Sequence, residues 1–155
     1  SETTFQLLTQ VAGRSGRGSL SGEVIIQTLL PEHTILSLAQ QQNFEGFFFF
    51  LIQTRRLFCY PPFTRLVKLI FSGKIESQVW EYAEKIQKDL RKKLTNNCEI
   101  LPLIACGHAK IKDMFRYQFL IKAKKLIPIL PQLHQIPQHK EIKLSIDVDP
   151  LSTFF

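Results

Sequence analysis

Phe63-Thr64-Arg65-Leu66-Val67-Lys68-Leu69-Ile70-Phe71 is the stretch whose rhythm decides the fold of most of the chain. Side chains along a strand point to alternate faces, with a period of two. Phe63, Val67, Leu69 and Phe71 then share one face with Arg65, while Thr64, Leu66, Lys68 and Ile70 share the other. Immediately downstream the period changes. Val79, Ala83, Ile86, Leu90 and Leu94 recur at helical spacing across residues 76–94.

Working outward toward the C-terminus, residues 100–105 and 115–123 read as strands, the second alternating aromatic with polar residues. Residues 125–135 read as an irregular helix interrupted by prolines, and residues 142–148 as a closing strand. The order β-α-β-β-α-β is the split βαβ pattern of a ferredoxin-like sandwich, an α+β fold with two helices on one face of an antiparallel sheet. This domain is expected to cover residues 63–155. No internal repeat or low-complexity tail interrupts it.

Upstream, Tyr60-Pro61-Pro62-Phe63 ends whatever helix precedes it, because proline lacks the amide proton and restricts the residue before it. That helix is expected over residues 44–58, within a connector of residues 43–62. It carries Phe47-Phe48-Phe49-Phe50-Leu51-Ile52, apolar on every side. Two readings stay open: a helix buried all round, or an exposed patch that needs a partner. A further helix opens at Pro31-Glu32, with Ile35, Leu36, Leu38 and Ala39 as its apolar face and Asn43 as its break. Residues 23–28, rich in Val and Ile, read as a short strand after the turn at residues 18–22.

The first helix, over residues 3–11 and onward, has Phe5, Leu8 and Ala12 on an apolar stripe suited to docking on a sheet. Gln10, Arg14 and Arg17 stand at i, i+4 and i+7 and share a different face. Guanidinium forks match phosphate oxygens, and Gly13 and Gly16 leave the backbone open to close approach. The competing reading is a solvated basic helix end, since arginine suits a helix C-terminus in any protein.

The bulk numbers narrow the function classes. With 155 residues, 45% of them hydrophobic, the chain can bury a core. Twenty Lys and Arg against thirteen Asp and Glu give +7, and the pI near 9.5 suits a polyanionic partner such as nucleic acid. Cys59, Cys98 and Cys106 are odd in number and lack C-x-x-C spacing, so a reduced, cytoplasmic protein is expected, with neither a disulfide framework nor a zinc ribbon. No apolar run approaches the roughly 20 residues of a membrane span. The start at Ser1 suggests the C-terminal piece of something longer. No metal is assigned to this chain. Cys98, Cys106 and His108 lack a fourth ligand, and Asp147 and Asp149 read as acceptors for backbone amides at a strand end.

Gln10-Val11-Ala12-Gly13-Arg14-Ser15-Gly16-Arg17 resembles the Q-x-x-G-R-x-G-R motif that closes the second motor lobe of superfamily 2 helicases. The flanks Gly22-Glu23-Val24-Ile25-Ile26-Gln27-Thr28, Pro31-Glu32-His33, Arg55-Arg56, Tyr60-Pro61-Pro62-Phe63 and Asp147-Val148-Asp149-Pro150 narrow the resemblance to the PriA (primosomal protein N′) family of replication-restart helicases. One departure is plain. Phe49, Phe50 and Leu51 stand where that family carries acidic residues.

The resemblance implies that residues 1–42 end a RecA-like lobe 2, and that the C-terminal domain resembles ribosomal protein S10. It implies an ATP-dependent 3′ to 5′ DNA helicase that reloads replication at stalled forks and initiates primosome assembly. In that scheme Gln10 and Gly13 lie at the nucleotide, Arg14 contacts the γ-phosphate and Arg17 is the arginine finger. The chain holds no G-x-x-x-x-G-K-[ST] loop and no D-E-x-H box, so ATP and Mg2+ would be bound mainly elsewhere. The family's Zn2+ ligands are absent too, and this chain alone is expected to be inactive. Expected partners are DNA in fork, single-stranded and duplex forms, the acidic tail of single-stranded DNA-binding protein, and other primosome proteins, with no membrane.

The candidate nucleic-acid surface is Lys110, Lys112 and Arg116 around the loop before the 115–123 strand, with Lys122, Lys124 and Lys125 at its far end. Phe115 and Tyr117 interleave and offer a stacking face. The alternative is an ordinary strand, aromatics inward and lysines wet. A non-enzymatic S10-like nucleic-acid-binding module is the rival reading for the whole chain.

Overall fold

The computed structural model describes residues 2–14, 23–94 and 98–151, and divides into two compact units, Ser1–Thr54 and Arg55–Phe155. The first unit is helical. Helix α1 (Glu2–Arg14) buries Phe5, with Leu8 and Ala12 half-buried beside it as the spacing predicts. The stripe docks on helices rather than on a sheet. Phe5 stacks on Phe47 at 3.9 Å between ring centroids, meets Phe44 edge-on at 5.3 Å, and shares its cluster with Ile35 and Ala39.

Helix α2 (Thr34–Gln40) begins two residues later than Glu32 because His33 caps it, its Nδ1 accepting the Ile35 amide at 3.2 Å. Asn43 both ends that stretch and starts the next. Its Oδ1 accepts the Gly46 amide at 2.8 Å at the head of helix α3 (Phe44–Leu57). The phenylalanine run is divided by helical geometry. Phe47 is buried and Phe50 half-buried three residues on, while Phe48 and Phe49 are 57% and 53% exposed.

The strand expected at residues 23–28 has no regular secondary structure and belongs to no sheet among the described residues. A strand needs a neighbour for its backbone donors and acceptors, and a short Val/Ile run cannot supply one. The described residues within 1–42 therefore show no RecA-like sheet.

In the second unit, residues 58–64 form a turn with a cis Pro61–Pro62 bond, held by Arg55 Nη1 on the Pro61 carbonyl at 2.7 Å and Thr64 Oγ1 on the Cys59 carbonyl at 2.6 Å. Strand β1 (Arg65–Gly73) follows, then helix α4 (Glu76–Lys93), β2 (Cys98–Ile100), β3 (Ile104–Ile111), β4 (Met114–Ala123), the short helix α5 (Leu130–His134) and β5 (Lys143–Val148). The order across the antiparallel sheet is β2-β4-β1-β5, with β3 pairing the same edge of β4 beyond β2. This is an α+β fold with a five-stranded sheet.

Alternation sorts the sheet as expected. Val67, Leu69 and Phe71 of β1 and Phe119, Ile121 and Ala123 of β4 meet Val79, Ala83, Ile86 and Leu90 of α4 in one core, joined by Ile129 and Leu133 from the α5 region. Gly73 is required by proximity, since a Cβ there would lie 2.8 Å from Val79 Cγ2.

Two boundaries differ from the sequence expectation. The strand expected at 100–105 is two strands separated by residues 101–103, which include Pro102. Gln87 Nε2 and Arg91 Nη2 of α4 bond the Leu101 and Ile100 carbonyls at 2.7 and 3.3 Å across that break. The helix expected at 125–135 shrinks to five residues, because Pro128 and Pro131 leave little room for amide donors.

Candidate functional sites

On α1, Gln10 and Arg14 are exposed and one turn apart, so the structure brings two of the three expected phosphate-facing groups to one face. Gly13 is exposed between them, with nothing within 4 Å of where a Cβ would stand. Arg17 lies outside the described residues. A groove of about 480 Å3 in this unit is lined by Leu8, Ala12, Val24, Ile26 and Leu36, on the apolar stripe rather than the arginine face.

The six cations assigned to a nucleic-acid surface do not form one patch. Arg116 faces Ser72 and Ala123 faces Arg65 in the register of β1 and β4. Lys110, Lys112 and Arg116 therefore lie at one end of the sheet and Lys124 and Lys125 at the other. Eight residues at roughly 3.3 Å each separate Arg116 from Lys124 by about 26 Å.

At the first end the feature expected to be a loop is a tight hairpin. Lys110 belongs to β3, and Lys112 and Asp113 form the two-residue turn between Ile111 and Met114 with φ of 48° and 59°. Lys110 reaches Asp113 Oδ1 at 3.2 Å and stands 5.2 Å from the Phe115 ring centre. Arg116 points the other way. It follows the alternation of Gln118 rather than that of Tyr117, and its charge, with that of Lys68, offsets part of the rise that burial causes at the Cys106 thiol.

Tyr117 is on the helix side. Its hydroxyl donates to Glu76 Oε1 at 2.5 Å, which raises its pKa, and its ring meets Trp80 edge-on at 5.1 Å. The aromatic surface at this end thus includes Trp80, 40% exposed, which the sequence reading missed. No spacing rule links two residues 37 apart, and only the strand-to-helix packing brings them together.

Lys122 departs from the expected role. Its side chain is 9% exposed, and Nζ donates to the Phe58 carbonyl at 3.0 Å, stands 4.4 Å from the Tyr60 ring centre and lies 3.6 Å from Glu99 Oε2. A buried ammonium survives only with such partners. It fastens the segment before β1 to the sheet and presents no charge to a phosphate. Lys124 and Lys125, just past the strand, are exposed.

Asp149 has the structural role expected of it. Its carboxylate takes the Arg65 guanidinium and accepts the Leu66 amide at 3.2 Å, while its own amide donates to the Leu66 carbonyl at 2.8 Å. The guanidinium hydrogen bond holds the Asp149 pKa below the usual carboxylate range. Among the described residues no group of three or more His, Cys, Asp or Glu gathers into a metal site, and no helix is long and apolar enough to cross a membrane.

Comparison with known proteins adds an independent finding. The sequence model of the family described as "Primosomal protein N C-terminal domain" matches residues 56–151. The chain is 46% identical to the replication restart protein PriA of Chlamydia pneumoniae over 159 aligned residues, covering 100% of this chain and 21% of that protein. It is 36% identical to the replication restart protein PriA of Bacillus subtilis, with 96% of this chain and 19% of that protein covered. The similarity to the PriA protein of Synechocystis is 35% identity over 97% of this chain and 18% of that protein. The chain thus spans about a fifth of the length of the curated relatives it matches.

Proposed function

The chain belongs to the PriA family through its primosomal protein N C-terminal domain, a family tied by name to replication restart, and on that premise we propose that it serves as part of an ATP-dependent 3′ to 5′ DNA helicase. The protein would reload replication at stalled forks and initiate primosome assembly in the cytoplasm. The observation that carries this reading is similarity to replication restart proteins over the whole chain, including the Gln10–Arg17 region upstream of the matched domain. The strand order β2-β4-β1-β5 supports a ferredoxin-like, S10-like reading of the second unit.

ATP hydrolysis would supply the energy for unwinding. In this chain, Gln10 would orient the nucleotide, Arg14 would pair with a phosphate oxygen, and Arg17 would neutralise charge on the transferring phosphoryl group. The exposure of Gln10 and Arg14 on one helical face fits that use. The phosphate loop and acidic box must come from outside these 155 residues, as must any Zn2+ ligands. DNA would be held by exposed lysines and arginines of the second unit, and the acidic tail of single-stranded DNA-binding protein is the other anion they suit.

Replacing Arg17 with alanine in the full-length protein tests the reading. DNA-stimulated ATP hydrolysis should fall at least about 100-fold, within the range known for arginine fingers, while DNA affinity stays unchanged. Lysine should restore little, since it lacks the planar fork. Wild-type turnover in Arg17→Ala would sink the assignment.

A further inference from the structure

Helix α4 is charged unevenly along its length. Glu76, Glu81 and Glu84 lie in its first half, whereas Lys85, Lys88, Arg91, Lys92 and Lys93 fill the second, the last three in its final turn. The C-terminus of α4 sits against the start of β2: the Cys98 thiol contacts the Leu94 carbonyl at 3.7 Å, and Cys98 pairs with Ala123. Lys124 and Lys125 leave β4 directly after Ala123. Leu94, Ala123 and Leu126 share the core beneath them.

Arg91, Lys92, Lys93, Lys124 and Lys125 are therefore gathered at one end of the sheet, and all five are exposed. Their acidic neighbours are few. Asp89 is one turn back, and Glu99 already faces Lys122 at 3.6 Å. Among the described residues Lys92, Lys93, Lys124 and Lys125 enter no ion pair. The helix dipole accounts for cations in the last turn of α4, but not for two more delivered by a different element.

The hairpin end also carries exposed cations, Lys74, Lys110, Lys112 and Lys143, but acids are interleaved with them. Lys110 pairs with Asp113, Arg116 is half-buried on the opposite face, and Glu76 holds the Tyr117 hydroxyl.

We propose that the α4–β4 end of the second unit, built from Arg91, Lys92, Lys93, Lys124 and Lys125, is its principal contact with the phosphate backbone of nucleic acid. This rests on the reading of the chain as part of a DNA-binding protein. Flexible cationic side chains grip phosphates and read no bases, so binding here is independent of sequence and steeply dependent on salt.

The test is a salt series of affinities for a mixed-sequence duplex, measured on the 155-residue chain. It compares wild type, Lys92→Gln/Lys93→Gln/Lys124→Gln/Lys125→Gln, the same four sites as arginine, and Lys110→Gln/Lys112→Gln. The glutamine quadruple variant should lose roughly three to four units of log–log salt slope, close to one per phosphate contact, and the arginine version should keep them. The hairpin variant should lose at most about one. Unchanged thermal unfolding, expected for exposed sites, shows that the variants are folded.

If the hairpin variant carries the loss and the quadruple variant does not, the assignment of this end is wrong while the DNA-binding reading stands. If the wild-type chain has no salt-dependent affinity for the duplex, the DNA-binding reading fails for this chain. A quadruple variant that keeps its duplex affinity but loses a glutamate-rich peptide overturns the proposal in favour of an acidic protein partner.

Discussion

The two units differ in how completely they bury themselves. Among the described residues the first gathers four buried side chains, Phe5, Ile35, Ala39 and Phe47, and leaves Ile25 at 88%, Leu29 at 99% and Leu30 at 65% exposure. The second closes a sheet face under α4 and the α5 region, with Val67, Leu69, Phe71, Val79, Ala83, Ile121 and Ile129 at 0%. The lesson concerns partners for backbone and side chain alike. Three helices can bury one side of each other, but the irregular segment of residues 23–30 joins no ladder among the described residues. A sheet satisfies its own backbone while it presents an apolar face for a helix to cover.

That contrast can be broken most sharply by removing a ring from each core. Phe71→Ala, which deletes a fully buried ring packed on Phe119 and Tyr82, should destabilise the second unit by about 3–5 kcal/mol. Phe5→Ala should strip amide protection from α1 and leave the second unit's melting unchanged. Hydrogen exchange on the whole chain reads both at once. A shift of the second unit's melting in Phe5→Ala would mean that the two do not unfold separately.

A pair of glycines sharpens the same comparison. Gly73→Ala forces a methyl against Val79 Cγ2 at 2.8 Å and the Glu141 carbonyl at 3.2 Å, and should cost about 1–3 kcal/mol by overpacking. Gly13→Ala enters open space on α1 and should stabilise that helix by about 0.5–1 kcal/mol through propensity. Thermal denaturation should show opposite signs. Equal signs would contradict the view that packing limits one unit and helix formation the other.

The smallest effect belongs to Asp149. Its folded pKa is depressed, so its contribution is present above the ordinary carboxylate range and is lost as pH falls through the folded value. Asp149→Asn should be modestly less stable than wild type at neutral pH, and the two should converge in acid. A gap that widens on acidification would show the sign to be wrong.

Much of the second unit was legible because its two periods are clean. The alternation around Val67, Leu69 and Phe71 and the helical spacing from Val79 to Leu90 both point at the face that is buried. What escaped was set by partners distant in sequence or by backbone geometry without a compositional mark. Lys122 reads as one more surface lysine until Phe58 and Tyr60 fold back beside it. The hairpin between β3 and β4 lacks the usual Asn-Gly or Asp-Gly pair, and Lys112-Asp113 adopts positive φ without announcing it. The phenylalanine run defeated a count of apolar residues because only position on the helix separates Phe47 from Phe48. On α1 the shared face of Gln10 and Arg14 was legible, since three-to-four spacing suffices for one helix. The basic surface was not, because strand length, invisible in a list of lysines, carries Lys124 far from Lys110.

If the second unit binds nucleic acid as proposed, the uneven charge of α4 would also act before any contact is made. A rod with acidic side chains near its head and basic ones at its tail behaves as a compass needle in the field of a distant polyanion, and it turns the tail forward during approach. Orientation would then be settled in solution rather than by trial collisions. Its signature is an association rate that falls as counterions shorten the reach of that field to about 10 Å at moderate salt, while the dissociation rate changes less.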